Sequence, residues 1–203
     1  MSIPRNRRAL VAVLTLALVG LVLASGALAR GTRNPAEDLV ARGEYLVKII
    51  GCNDCHTPWI MTEHGPGPDM TRMLSGHPKD LVVTEQAPLP ADGPWGLVGS
   101  ASMTAWSGPW GISYAANLTP DPNTGTGIWT EDMFLRAIRT GKHWGQSRPI
   151  MPPMPWEVYR NMTDEDLKAI WAYLRTIPPI QTRVPDGRPP GAGGDQSGRP
   201  TGH

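Results

Sequence analysis

The sequence predicts a mainly α fold interrupted by a long irregular insertion, and three observations carry that expectation. Stretches at 35–50, 130–141 and 163–174 place apolar residues at helical spacing. Sustained alternation of the kind that builds extensive sheet is scarce. The 203 residues include 23 glycines and 22 prolines, which assigns much of the remainder to loop.

Residues 1–29 read as a signal peptide or an N-terminal membrane anchor. Arg5, Arg7 and Arg8 form a basic lead, Leu10 to Leu23 are almost wholly apolar, and Ala27-Leu28-Ala29 supplies small residues for a peptidase, with cleavage expected after Ala29. The run from Ala9 to Ala29 is also long enough to span a bilayer if uncleaved. Either outcome puts the folded part on the exported side, because the arginines stay cytoplasmic. The expected location is therefore the periplasm or the outer face of the cytoplasmic membrane. Cleavage removes three cations and leaves 16 Lys and Arg against 18 acids, so a formal charge of +1 becomes −2. Nothing in that balance favours nucleic acid as a partner.

The first helix is expected over Pro35 to Ile50. Pro35 suits a first turn, and Leu39, Gly43, Leu46 and Ile50 recur on one face. A glycine inside a helix costs about 1 kcal/mol relative to alanine, so Gly43 on the apolar face marks a close approach by another element. Trp171 or Tyr173 of the last helix is the expected neighbour.

Cys52-Asn53-Asp54-Cys55-His56 follows at once. On one helical turn, residues three and four apart share a face, so both thiols and the imidazole converge. That spacing suits covalent attachment of a c-type haem: two thioethers form to the porphyrin vinyl groups, and His56 rises beneath the iron as an axial ligand. A dithiol or disulfide fits the same residues, and so does half of a zinc site. A four-ligand zinc site needs a second cluster, and these are the chain's two cysteines. The second ring nitrogen of His56 is expected to donate to a backbone carbonyl, with Pro58, Pro66 and Pro68 as candidate sources.

Residues 63–110 form the insertion, with turn material at His64 to Pro68 and Pro88 to Pro94 and a short strand expected at Leu81-Val82-Val83. His64 and His77 read as solvent-facing loop histidines. Asn117 to Gly127 is a second loop, leading into a helix that Thr130 caps, that Glu131 and Asp132 favour at its positive end, and that Gly141 stops. Arg148 to Trp156 holds four prolines and should be a stiff, non-helical strap. It offers two thioethers, Met151 and Met154, either of which suits haem iron as a soft neutral ligand. Thr163 caps the last helix, whose buried face is Leu167, Ile170, Trp171 and Leu174 and which ends at Pro178-Pro179. The folded domain is expected over 34–182, with a disordered tail over 185–203.

Taken together, Cys52 to His56 after a first helix, the Met154-Pro155-Trp156 strap and the Trp171-containing last helix resemble class I cytochromes c. Asn117-Leu118-Thr119-Pro120-Asp121, Thr124 to Trp129, Arg139-Thr140-Gly141 and Met162 to Leu167 are similar to bacterial cytochrome c subunits of alcohol, aldehyde and sugar dehydrogenases. The resemblance covers roughly 36–62 and 110–180. It implies the class I cytochrome c fold with one covalent haem c, Cys52 and Cys55 as its attachment points, and His56 and Met154 as axial ligands. Met154 is preferred to Met151 because Met-Pro-aromatic is the family's context. It also implies an electron carrier without catalytic residues, whose redox partners are a periplasmic dehydrogenase and a respiratory-chain acceptor. A single Cys-x-x-Cys-His occurs in these 203 residues, whereas many such subunits carry two or three. Arg148, Trp129 and Trp156 are left outside the expected site. The alternative function is a five-coordinate haem gas sensor or peroxidase-like enzyme, which needs a distal acid–base pair. A third is a structural haem beside a partner-binding insertion.

Overall fold

The computed structural model describes residues 34–89 and 92–191, so the expected leader or anchor at 1–29 lies outside the described residues. Among the described residues, no helix is long and apolar enough to cross a membrane. The chain divides into residues 1–38 and 39–203. In the first unit, the Asn34 side chain accepts from the Ala36 amide at 3.1 Å, and its carbonyl accepts from Asp38 at 3.1 Å. The first bond satisfies an amide that a helix start leaves unpaired, and the second is the helix's opening backbone bond.

Five helices lie among the described residues: α1 (Pro35–Ile49), α2 (Cys52–His56), α3 (Glu131–Thr140), α4 (Trp156–Tyr159) and α5 (Asp164–Leu174). With two 3-10 turns they make up about a third of the described residues, so the expectation of a mainly α chain holds only in part. Most of the remainder is loop and turn, with two small antiparallel sheets. β1 (Trp59–Thr62) pairs with β2 (Gly65–Pro68), and β3 (Val98–Gly99), β4 (Ala105–Gly108) and β5 (Gly111–Tyr114) form a three-stranded sheet in that order. Strands of two to four residues are too short to print an alternating pattern, and Pro66 and Pro68 in β2 disguise it further.

The core lies between α1, α3 and α5. Leu46, Val47, Phe134, Ile138, Leu167, Ile170, Trp171 and Leu174 are buried together. The Phe134 and Trp171 rings stack at 5.5 Å. Both expected caps form: Thr130 accepts from the Met133 amide at 3.2 Å, and Thr163 accepts from Asp166 at 3.1 Å. Gly141 ends α3 at φ 65°, and its amide donates to the Ala137 carbonyl at 2.9 Å. Leu39, expected on the buried face of α1, is 37% exposed, and Val47 takes its place.

Gly43 is the crossing point of α1 and α5. A Cβ there would stand 1.9 Å from the Ala169 carbonyl oxygen and 2.8 Å from the Tyr173 Cβ. The neighbour is thus the Ala169 backbone and Tyr173, not Trp171. Arg42 holds Asp166 across the same crossing at 2.9 Å.

Three other expectations change. Leu81 to Val83 is not a strand. His77 is fully buried: its Nδ1 meets Thr104 Oγ1 at 2.9 Å, its Nε2 meets the Leu81 carbonyl at 2.8 Å, and its ring tilts on Tyr114. It organises the insertion from within, whereas His64 is exposed as expected. Residues 185–191 do not begin as a disordered tail. Arg188 exchanges backbone bonds with Ile112 at 2.8 Å each way, and its guanidinium donates to the Val83 and Thr84 carbonyls. Gly111, at φ 97°, admits that segment because a Cβ would meet the Arg188 carbonyl at 2.0 Å.

Gly43→Ala should lower the unfolding free energy by about 1–3 kcal/mol through overpacking at the helix crossing. Gly96→Ala, where a Cβ meets nothing within 4 Å, should be near neutral. Denaturant titration of the two variants checks the contrast.

Candidate functional site

α2 is a single turn that opens at Gly51 in the left-handed region, φ 78°. Its far end is fastened rather than frayed. The Thr57 amide donates to the Asn53 carbonyl, the Thr57 hydroxyl donates to the Asn53 side chain at 2.8 Å, and the Leu74 amide donates to that hydroxyl at 2.9 Å. The Tyr159 hydroxyl donates to the Ile50 carbonyl at 2.7 Å, tying α4 to the end of α1. Cys52, Cys55 and His56 consequently face one cavity, as their spacing requires.

That cavity measures about 360 Å³. Its walls include Val47, Leu118, Phe134, Ile138, Leu167 and Ile170, and no carboxylate among the described residues lines it. The strap supplies another side: Met151, Pro152, Pro153, Met154 and Pro155 all line it. The strap is pinned by the Ile150 amide, which donates to the Gly141 carbonyl at 2.8 Å, and by Ser113 Oγ, which donates to the Pro152 carbonyl, among other bonds. Met154 also packs against the hydrophobic core. Met162 lines the cavity too, a thioether that the sequence pattern did not single out as a ligand.

His56 is held through Nδ1, 2.8 Å from the Ala116 carbonyl. A carbonyl only accepts, so Nδ1 carries the proton and Nε2 keeps its lone pair. Burial lowers the pKa of this imidazole, with the bond to Ala116 acting in the opposite direction. The expected carbonyls of Pro58, Pro66 and Pro68 are therefore replaced by one 60 residues away from the histidine. Gly76 makes this arrangement fit. It sits at φ 75°, and a Cβ would meet the Ala115 carbonyl oxygen, the Ala116 carbonyl carbon and the Asn117 amide at 2.7 Å. The Gly76 amide donates to the His56 carbonyl at 2.8 Å, so the same glycine grips the histidine from the other side. A lone glycine within an irregular stretch gave no sign of this in the sequence.

The two thiols are free rather than paired with each other. Burial pushes Cys52 up to about 12, with Asp54 adding to the effect, and raises Cys55 for the same two reasons. Among the described residues, no cluster of His, Cys, Asp and Glu is arranged to hold a metal ion by itself. The structure also brings in residues that the sequence left outside the site. Trp129, His143, Arg148 and Arg183 line the cavity. Trp156 instead lies over Gly141, where a Cβ would be 2.3 Å from its ring. The Asn117 to Gly127 loop forms a further edge and is braced by Asp121, whose carboxylate accepts from the Thr124 amide and hydroxyl at 2.7 Å each.

No family model matches the chain. It is 34% identical over 147 residues to the fructose dehydrogenase cytochrome subunit of Gluconobacter japonicus, covering 72% of this chain and 23% of that one. It is 31% identical over 159 residues to the gluconate 2-dehydrogenase cytochrome c subunit of Pantoea cypripedii, covering 78% and 27%. The chain is similar to bacterial cytochrome c subunits of dehydrogenases. A shorter stretch of 72 residues is 39% identical to one of the subunits of nicotinate dehydrogenase from Pseudomonas putida, covering 36% of this chain and 6% of that protein. The likeness anticipated from the motifs is thus found across most of the chain. The chain spans about a quarter of the length of the fructose and gluconate dehydrogenase relatives.

Gly76→Ala should force the backbone at 115–117 away from His56 and cost about 1–3 kcal/mol of stability, because the clash is with backbone and φ is positive. Equilibrium denaturation measures it.

Proposed function

We propose that this chain is an exported electron-transfer protein built around one covalently attached c-type haem. The observation that carries the reading is the convergence of Cys52, Cys55, His56 and Met154 on one apolar cavity, with His56 Nδ1 already engaged by Ala116. The residues present fit the group. A volume of about 360 Å³ falls in the range of cofactor sites, and two thiols, an imidazole and a thioether form a donor set suited to haem iron.

When bound, the haem supplies a one-electron ferrous–ferric couple. The chain's own residues do the rest. Cys52 and Cys55 would hold the porphyrin covalently, and His56 and Met154 would ligate its iron through an imidazole nitrogen and a thioether sulfur. Ala116 orients the imidazole, and the apolar walls exclude water and favour the less charged, reduced state. Met154 is favoured over Met151 because it packs against the core and stands in the Met154-Pro155-Trp156 context, whereas Met151 is followed by two prolines.

The dehydrogenase relatives support a dehydrogenase as electron donor; the donor's periplasmic location follows from the export reading, and a respiratory-chain acceptor completes the proposal. Residues 1–29 support export, and Ala9 to Ala29 would serve as a membrane tether if retained. The folded domain takes in residues 34 to about 190, with 63–110 as the insertion, which contributes Trp106 to the cavity wall. A second reading rests on His143 and Arg148, a His–Arg pair in the cavity that the sequence spacing did not reveal. Such a pair suits a five-coordinate sensor or peroxidase-like enzyme.

An optical spectrum decides between them. A ferric methionine-to-iron charge-transfer band, with no carbon monoxide shift in the reduced protein, is expected. Met154→Ala should abolish the band, admit carbon monoxide and lower the reduction potential, whereas Met151→Ala should leave the spectrum unchanged. Rapid carbon monoxide binding by the unaltered protein would overturn His/Met ligation in favour of the second reading.

A further inference from the structure

One turn of the chain joins three features with no shared structural purpose. The Trp129 and His143 rings both line the cavity and meet edge to face with centroids 5.0 Å apart. His143 in turn lies 5.0 Å from Trp144, which is 39% exposed. An aromatic path therefore runs from the cavity to the surface.

Trp144 is also strained. It stands at φ 57°, ψ 13°, a left-handed conformation that is an outlier for a bulky side chain. Such a residue persists only where its surroundings over-determine it. Here they do. The His143 amide donates to the Arg148 carbonyl at 2.9 Å, the Gly145 amide to the Lys142 carbonyl at 2.8 Å, and the Ser147 hydroxyl to the His143 carbonyl at 2.8 Å. This network holds outward an indole that burial would otherwise favour.

Two cations, Lys142 and Arg148, flank the turn, against one carboxylate, Asp186, whose charge also reaches His143. Lys142 and Arg148 are exposed, stand on either side of it through the Lys142–Pro149 bridge, and form no ion pair among the described residues. Exposed tryptophan and arginine are the side chains that most often anchor protein interfaces, and unpaired cations steer an acidic partner and speed its encounter.

We propose that the Trp144 turn is the docking face for an acidic redox protein, and that Trp144, His143 and Trp129 bridge the electron's path between that partner and the cavity. The proposal rests on the electron-transfer reading above. One electron passes between the partner's redox centre and the haem iron, one being oxidised as the other is reduced. No bond forms or breaks and no proton is needed.

The test uses the holoprotein on gold electrodes coated with carboxylate-terminated or hydroxyl-terminated alkanethiols, read by voltammetry. The acidic coating stands in for the partner. The unaltered protein should exchange electrons faster on the carboxylate surface, and the advantage should shrink with added salt. Trp144→Ala should slow exchange on that surface about tenfold, and Trp144→Phe should retain most of the rate. Lys142→Glu should also remove the carboxylate preference. Reduction potential and visible spectrum should stay constant in all three, which separates loss of the bridge from loss of the fold. Trp144→Ala with an unchanged rate, or a rate lost equally on both coatings, overturns the docking face alone. An unaltered holoprotein without a reversible one-electron wave overturns the electron-transfer reading beneath it.

Discussion

The hydrogen bond from His56 Nδ1 to the Ala116 carbonyl is the contact from which the site is assembled. It joins residues 60 apart and sets the tautomer, so the free nitrogen of the ring belongs to the cavity. Forming it requires backbone 115–117 to lie against the loop after α2, which Gly76 permits by having no Cβ. The Leu118 amide donating to the Leu74 carbonyl and the His77 amide donating to Ala115 extend the same seam. β5, the loop at 117–127 and the insertion are thereby fixed relative to α2, and the cavity between them takes its shape.

Gly43 does for the helices what Gly76 does for the loops. With α1 and α5 in contact at the backbone, the end of α1 has one position, and the one-turn α2 starts from it. Tyr159 then secures the Ile50 carbonyl at that junction, and α4 follows directly on the strap that lines the cavity. The thiols, the imidazole and the thioethers thus come from rigid elements. A ligand set of this kind depends on packing from a second layer of residues more than on the ligands' own conformational preferences.

What was legible in the sequence was local. Cys52 to His56 converge because a single turn dictates it, α3 and α5 begin at Thr130 and Thr163 because a hydroxyl there satisfies a free amide, and Gly43 stands out as a glycine on an apolar face. The strap at 148–156 is legible for the same reason, since proline restricts its own torsion and its neighbour's. What was hidden depends on long-range contacts. His77 sits in a loop-like stretch and gives no hint that Thr104 and Leu81 will enclose it. Nor does Arg188, among glycines and prolines, announce a pairing with Ile112. Ala116, whose side chain carries no chemistry, contributes a carbonyl that no residue pattern marks. The relatives share most of the chain's length and agree with the family its motifs resemble, so the local signals pointed correctly even where the tertiary ones were silent.

The central claim is that Cys52 and Cys55 are attachment points for a haem. Mass spectrometry of the exported protein, digested so that Cys52 to His56 lie in one peptide, addresses it directly. The peptide should carry the mass of one haem on its two cysteines, and Cys52→Ala with Cys55→Ala should abolish the adduct. An exported protein whose peptide bears two free thiols or a disulfide, with no haem mass, would contradict the account.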